Sequence, residues 1–297
     1  MSKNILVIGG SGFIGSHTAD VLSNRGHKIR IFDRIKSPWL KDSQEMIVGD
    51  YLDTDLLFET MKDIEIVYNF AGIADIGEAS EHRQKTIETN VIGVSNTIEA
   101  MLKNNISRLI YSSSMYVYSD KGSFYRASKQ AAELLIETYS DKLNLDYSIL
   151  RYGSLYGSRS QEWNGLKKFI KQITNEEKVD YAGTGEEVRE YINVSDAAKL
   201  SADAINDNFI NKAIIITGQQ STKVKDLFQI IFEILGKKQN INYQNKKNLN
   251  DHYGNTPYRY SPKSANKIIP SEFIDLGQGI LNLMQEIDNE NNSNETV

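Results

Sequence analysis

A glycine loop set between a strand and a helix constrains this chain more than any other feature. The run Asn4–Ile8, NILVI, is apolar and rich in β-branched residues, and it leads directly into GGSGFIG at Gly9 to Gly15. An amphipathic helical pattern, Phe13–Arg25, follows. Gly9 can take the backbone angles of a tight strand-to-helix turn. Gly12 has no Cβ to hold a phosphate away, and Gly15 lets the helix approach the sheet. The helix then presents free N–H groups and its positive end to an anion, which suits the pyrophosphate of a dinucleotide.

The rest of the first half keeps the same rhythm. Apolar runs at Lys28–Phe32, Glu45–Val48, Glu65–Phe70, Arg108–Ser112 and Tyr147–Leu150 alternate with helical patterns, notably His82–Lys103 and Tyr125–Leu143. The runs are continuously apolar, as in a parallel sheet covered on both faces. The expected fold is α/β, a doubly wound parallel Rossmann sheet with a smaller α/β C-terminal substrate lobe. The expected division is 1–152 for the dinucleotide-binding domain, with some later segments returning to it, and 153–288 for the lobe. Within the lobe, short strands at Lys178–Ala182, Ala213–Thr217 and Ile241–Gln244 mix with helices at Gly165–Thr174, Ser195–Ile205, Val224–Leu235 and Leu276–Ile287. The polar tail 289–297 is expected to fray.

Composition narrows the chemistry. Among 297 residues there is no cysteine, which excludes disulfides, thiolate nucleophiles and Cys-metal sites. The net charge of -5 implies no broad basic surface, so neither nucleic acid nor a membrane is an expected partner. The start, MSKNILVIGG, reads as a short polar lead into a strand, and a cytoplasmic protein is expected.

Asp33 stands 18 residues beyond Gly15, at the end of the second apolar run. A carboxylate there can accept hydrogen bonds from adenosine ribose hydroxyls and would repel a 2′-phosphate, which favours NAD over NADP. Arg34 and Lys36 beside it keep a phosphate possible. Asp50, in GDYLD, fits either an adenine amine acceptor or the N-cap of a helix that starts near Asp53. Further on, the triple serine Ser112 to Ser114 closes a strand, and Tyr125 and Lys129 lie four apart on one helix face. A lysine beside a phenol favours phenolate, so this pair with Ser114 suits proton transfer coupled to hydride transfer. Tyr243 and Lys247 repeat the spacing in a polar region with no glycine loop or serine strand upstream, and read as a decoy.

These motifs together resemble the extended short-chain dehydrogenase/reductase family, and within it the NAD-dependent sugar-nucleotide epimerase/dehydratase group. The likeness runs through GGSGFIG, NFAGIADIGEA from Asn69, TNVIG around Asn90, YSSSMYVYS, YRASK, LRYGSLYG from Leu150, REYINVSDAA from Arg189, and PYRYSPKSANKI with DLGQGI. It implies NAD contacts from Gly9, Gly12, Phe13, Ile14, Gly15, Asp33, Arg34, Asp50, Tyr51, Phe70, Ala71, Gly72, Asn90, Ser112, Tyr125, Lys129 and Tyr152. It implies substrate contacts from Ser114, Ser154, Arg189 and Arg259, with Arg189 on the phosphates of a nucleoside-diphosphate sugar. The bland alternative for Arg189 is an ion pair with Glu186, Glu187 or Glu190. Relatives pair as homodimers through the helices that read here as His82–Lys103 and Tyr125–Leu143.

Departures from the group's pattern narrow the reaction and leave the sugar open. Only ten residues separate Ser114 from Tyr125, and Ala74, Ser119 and Ser154 stand where relatives carry lysine, glycine and asparagine. Met115 and Tyr116 follow Ser114 where 4,6-dehydratases carry Asp-Glu, and no cysteine acid is available for enolate chemistry. The smallest mechanism left is 4-epimerisation through a transient 4-keto sugar. A nucleotide-sugar ketoreductase or dehydrogenase is the alternative enzyme, and a dinucleotide-binding sensor the non-catalytic one.

Overall fold

The structure is a computed structural model that describes residues 2–244 and 252–258. Arg259, the helix expected at Leu276–Ile287 and the polar tail lie outside the described residues, as does Lys247.

The chain begins with β1 (Asn4–Ile8), α1 (Phe13–Asn24), β2 (Lys28–Asp33), β3 (Gln44–Val48), α2 (Thr54–Thr60) and β4 (Ile66–Asn69). It continues through α3 (Ile76–Glu81), α4 (Arg83–Ile87), a π-helical turn at Glu88–Ile92 and α5 (Gly93–Lys103). β5 (Arg108–Ser114), a 3-10 turn at Met115–Tyr118, α6 (Ser123–Leu143) and β6 (Asp146–Tyr152) follow. The later segments are β7 (Ser154–Tyr156), α7 (Gly165–Glu176), β8 (Val179–Tyr181), β9 (Val188–Asn193), α8 (Val194–Asp203), β10 (Lys212–Ile216), β11 (Ser221–Lys223), α9 (Val224–Ile234) and β12 (Ile241–Tyr243).

Seven strands form one sheet in the order β10-β6-β5-β4-β1-β2-β3, and every neighbouring pair is parallel. The continuous apolarity of the strands is explained by burial on both faces. In β1, Leu6 and Ile8 join one core with Val94, Ile98 and Ile136, while Ile5 and Val7 join the opposite core with Ala19, Leu22 and Ala197. The order reverses at β1, beyond whose carboxyl end a doubly wound sheet leaves a crevice for a ligand. β7, β9 and β11 make a second small sheet, and β8 with β12 a third. A separate apolar cluster of Ile173, Val179, Val224, Phe228, Ile231 and Phe232 ties α7, β8 and α9 together.

Two expected elements differ in detail. The single helix expected at His82–Lys103 is interrupted by the π turn, whose Asn90 side chain is drawn inward to Ile73. The cap of α2 is Asp53, which accepts from Leu56 N, while Asp50 turns back on Leu52 N at 3.0 Å. Tyr243, of the repeated Tyr/Lys spacing, sits on β12 and not on a helix.

Candidate active site

The carboxyl ends of β1, β2, β4, β5 and β6 open onto a continuous cleft of about 1050 Å³. Each glycine of the first loop has a distinct steric reason. Gly9 has φ +77°, and a Cβ there would stand 2.6 Å from Ala71 N. A Cβ on Gly15 would stand 2.3 Å from Gly9 O, so the helix can lie this close only without one. Gly12 precedes α1 with no side-chain cap, which leaves the first-turn N–H groups of Phe13, Ile14 and Gly15 without intrahelical partners beside the cleft. A cradle of this shape, with a positive helix end, fits a pyrophosphate. Asp33 is held against the same loop, accepting from Ser11 N at 3.0 Å and Ile35 N at 3.2 Å. Arg34 lines the cleft next to it.

The opposite wall comes from the segment after β4 and from β5. Phe70, Ala71 and Gly72 line the cleft. Gly72 has φ +149°, and a Cβ would meet Asn90 Oδ1 at 2.8 Å and Lys129 Nζ at 3.7 Å. Asn90 does not line the cleft. Its amide accepts from Ile73 N and donates to Ile73 O and to Ser128 Oγ, at 2.7 to 2.9 Å, and so fixes the wall from behind. Asp50 is likewise absent from the lining, whereas Tyr51 is present with its hydroxyl turned to Thr89 O.

Tyr125, Lys129 and Ser114 meet at this wall. Tyr125 hydrogen-bonds Ser114 and is 8% exposed. Burial pushes its phenol up to about 12, against which the Ser114 hydrogen bond works. Lys129 donates to the Ser112 carbonyl at 2.8 Å, and its Nζ lies 4.8 Å from the centre of the Tyr111 ring. Burial brings its ammonium down to about 8, and the Glu133 carboxylate opposes that fall. Lys129 is thus poised near neutrality, while the phenol of the protein alone is not. Tyr152 lines the cleft with its hydroxyl on Ser201 Oγ at 2.6 Å.

The later segments complete the lining. Arg189 donates to Val188 O and Gly254 O, and its guanidinium lies 4.7 Å from the Tyr253 ring. The acids that sequence offered it are engaged elsewhere. Glu186 pairs with Lys223 and Lys225, Glu187 accepts from the Thr184 and Gly185 N–H groups, and Glu190 accepts from Ser221 and Tyr258. Among the described residues no carboxylate pairs with Arg189. Ser154 hydrogen-bonds the Tyr253 hydroxyl, and Tyr253 packs 4.6 Å from Tyr116.

Sequence reasoning missed several residues here. His252 bonds Tyr116, and both stand in the lining with Tyr253, Trp163 and Lys168. Nothing local marks them, because they arrive from distant segments. Glu133, behind the wall, carried a readable signal: it continues the Tyr125, Lys129 spacing by one more turn. No group of His, Asp or Glu among the described residues is arranged to hold a metal ion.

The model of the NAD dependent epimerase/dehydratase family matches residues 5–216. Among solved structures, a UDP-glucose 4-epimerase with UDP-glucose from Thermotoga maritima superposes with a TM-score of 0.79. It is 25% identical, over 87% of this chain and 90% of that one. A UDP-N-acetylglucosamine 4-epimerase from Methanobrevibacter ruminantium M1, in complex with UDP-N-acetylmuramic acid, gives a TM-score of 0.77 at 28% identity, over 88% and 90%. A UDP-N-acetyl-alpha-D-glucosaminuronate decarboxylase from Bacillus cytotoxicus is 26% identical over 79% of this chain and 81% of its own length.

Proposed function

Since the chain belongs to the NAD-dependent epimerase/dehydratase family, we propose that it is an NAD-dependent epimerase that inverts C4 of a nucleoside-diphosphate sugar. The observation that carries this reading is that Ser114, Tyr125 and Lys129 line the same cleft as the glycine loop and Arg189. The glycine cradle and Asp33 fit NAD, with Gly9, Gly12 and Gly15 admitting the pyrophosphate and Asp33 the ribose hydroxyls. Bound there, NAD supplies the hydride acceptor and donor for C4, and a positive ring charge that favours phenolate at Tyr125.

The chain's own residues handle the proton. Tyr125 takes the proton of the sugar 4-hydroxyl, Ser114 Oγ orients that oxygen, and Lys129 holds the phenolate. After the ketone has turned to present the other face of C4 for reduction, Tyr125 returns the proton to the 4-oxygen. Arg189, with no carboxylate partner among the described residues, is the cation we assign to the diphosphate. Ser154, which meets Tyr253, is assigned to the sugar side. The segments after residue 152 that line this part of the cleft are read as the substrate lobe. We further propose that the protein works as a homodimer in the cytoplasm; no described helix is long and apolar enough to cross a membrane.

The decarboxylase relative supports a second reading, in which the same oxidation of C4 precedes loss of a C6 carboxylate as carbon dioxide. Product analysis with UDP-sugars and UDP-uronates separates the two: inverted sugar without gas evolution supports the epimerase, and carbon dioxide release overturns it. Tyr125→Phe is expected to bind NAD as wild type and to lose turnover by about 10²-fold or more, the scale of general acid–base catalysis. Turnover near wild type in that variant would remove Tyr125 from the mechanism.

A further inference from the structure

Three aromatic rings run along the cleft wall from its reacting end toward Arg189. The Tyr116 ring meets the Tyr125 ring edge-on, with centres 6.0 Å apart, and lies 4.6 Å from the ring of Tyr253. The Arg189 guanidinium lies 4.7 Å from the Tyr253 ring. All four residues line the cleft. A sugar that carries its diphosphate at Arg189 and presents C4 to Tyr125 passes along this row, and Tyr116 is the middle of it. Tyr116 is held from several sides. Its N–H donates to Ser114 Oγ at 3.3 Å, and its ring packs on the cluster of Ile73, Ile76 and Ala79. Its hydroxyl bonds His252 Nδ1. His252 belongs to a short strap fastened to β9, where Gly254 O accepts from Val188 N at 2.9 Å and from Arg189 at 3.0 Å. His252 also lines the cleft, and the proposed mechanism uses neither member of the pair.

We infer that Tyr116, set by His252, binds the sugar ring, and that the pair lets one pocket hold the ring in both orientations that inversion at C4 requires. This inference rests on the 4-epimerase reading. The reason lies in the chemistry of a phenol–imidazole hydrogen bond. With the imidazole proton on Nδ1, the imidazole donates to the phenol oxygen, and the phenol proton is directed to a sugar oxygen. With the proton on Nε2, the phenol donates to Nδ1, and its oxygen accepts from a sugar hydroxyl. Both arrangements are neutral. The bond lies on the exposed side of the cleft, where water can carry the proton from one ring nitrogen to the other. Turning the 4-keto ring over brings different groups of the sugar to the wall. A wall group fixed as donor, such as a lysine, or as acceptor, such as a carboxylate, suits one orientation and leaves the other with an unpaired group. A pair that serves as either suits both. A ketoreductase or a decarboxylase, which holds its sugar one way round, gains nothing from it.

The test begins with Tyr116→Phe, which keeps the ring and its packing and removes the hydroxyl. KM is measured with UDP-glucose, UDP-N-acetylglucosamine and UDP-glucuronate and with the C4 epimer of each, and affinity for UDP alone by calorimetry. For the epimers that the wild type interconverts, both KM values are expected to rise about fivefold, the loss of one neutral hydrogen bond, with UDP affinity within about twofold of wild type. Variants of His252 then fix the polarity of the pair. His252→Asp can only accept from the phenol and His252→Lys can only donate to it. The ratio of the two KM values is expected to move about fivefold in opposite directions in these two variants, the cost of an unpaired group. A new charge acts on the diphosphate of both epimers alike and cancels in that ratio. His252→Asn, whose amide either donates or accepts, should keep the wild-type ratio. An unchanged KM for either epimer in Tyr116→Phe would overturn the inference. So would a fall in UDP affinity in step with KM, which would make the pair only a fastening for the strap. If Tyr116→Phe fails to fold, the His252 variants decide, and a ratio that moves the same way in both would overturn the inference. A wild type that gives no C4 epimer from any of the three sugars would overturn the 4-epimerase reading, and the inference with it.

Discussion

A phenol as deeply buried as that of Tyr125 resists ionisation, because burial outweighs the single hydrogen bond from Ser114. The sequence pattern of Tyr125 and Lys129 suggested a lowered value. What it omitted was desolvation, which depends on packing from Tyr116, Ile73, Ile76 and Ala79 and not on the helix itself. At Arg189 the outcome ran the other way. Sequence left a surface ion pair open, but the three neighbouring acids are satisfied by lysines, backbone amides and hydroxyls. Arg189 keeps donors for an anion while Val188 O, Gly254 O and the Tyr253 ring hold it steady. Arg189→Ala is therefore expected to weaken binding of the cognate nucleoside diphosphate by about 1.5–3 kcal/mol, the range for hydrogen bonds to charged groups. NAD binding should not change. Calorimetry with UDP, GDP, CDP and dTDP reads both, and failure of every nucleoside diphosphate to bind the wild type would remove the sugar-nucleotide assignment.

Between α4 and α5 the π turn does what neither helix could do alone. One extra residue in the turn swings Asn90 inward, where its amide replaces a missing strand partner for Ile73 and reaches Ser128 on α6. The helical pattern around Asn90 was readable, since Val94, Ile98 and Met101 recur at helical spacing on the core side. The interruption was not, because a π turn leaves the apolar period almost intact. Asn90→Ala would leave the Ile73 N–H and C=O unpaired in a buried site, with a cost of about 2–4 kcal/mol. Urea unfolding of the variant checks this. Because Asn90 Oδ1 stands behind Gly72, where a Cβ would meet it at 2.8 Å, and Gly72 lines the cleft, NAD affinity should fall as well. Loss of less than about 0.5 kcal/mol would mean that water or a neighbour replaces the amide.

At the scale of the molecule, the parallel sheet was legible because burial on both faces writes itself into each strand as an unbroken apolar run. Pairing was less legible. The run Ala213–Thr217 was readable as a strand, but that it adds to the edge of the main sheet beside β6 depends on the whole topology. The three-residue strands of the smaller sheets carry too little pattern to show their partners. The same limit applies to the surface proposed for dimerisation. Val94 and Ile98, on the first of the two helices expected to pair, are fully committed to the chain's own core. Ile87, Ile92 and Leu134 on the same helical segments remain exposed, Leu134 by 64%. Exposed branched aliphatics on packed helices are a surface that a second copy would cover. The chain is expected to be a dimer by light scattering at micromolar concentration. Leu134→Glu, which puts a charge into that surface without touching the core, should shift it to monomer and leave the unfolding midpoint of the monomer's own core within about 0.5 kcal/mol, as for a surface substitution. A wild type that runs as a monomer would remove the dimer. A Leu134→Glu variant that stays dimeric would move the interface away from α6.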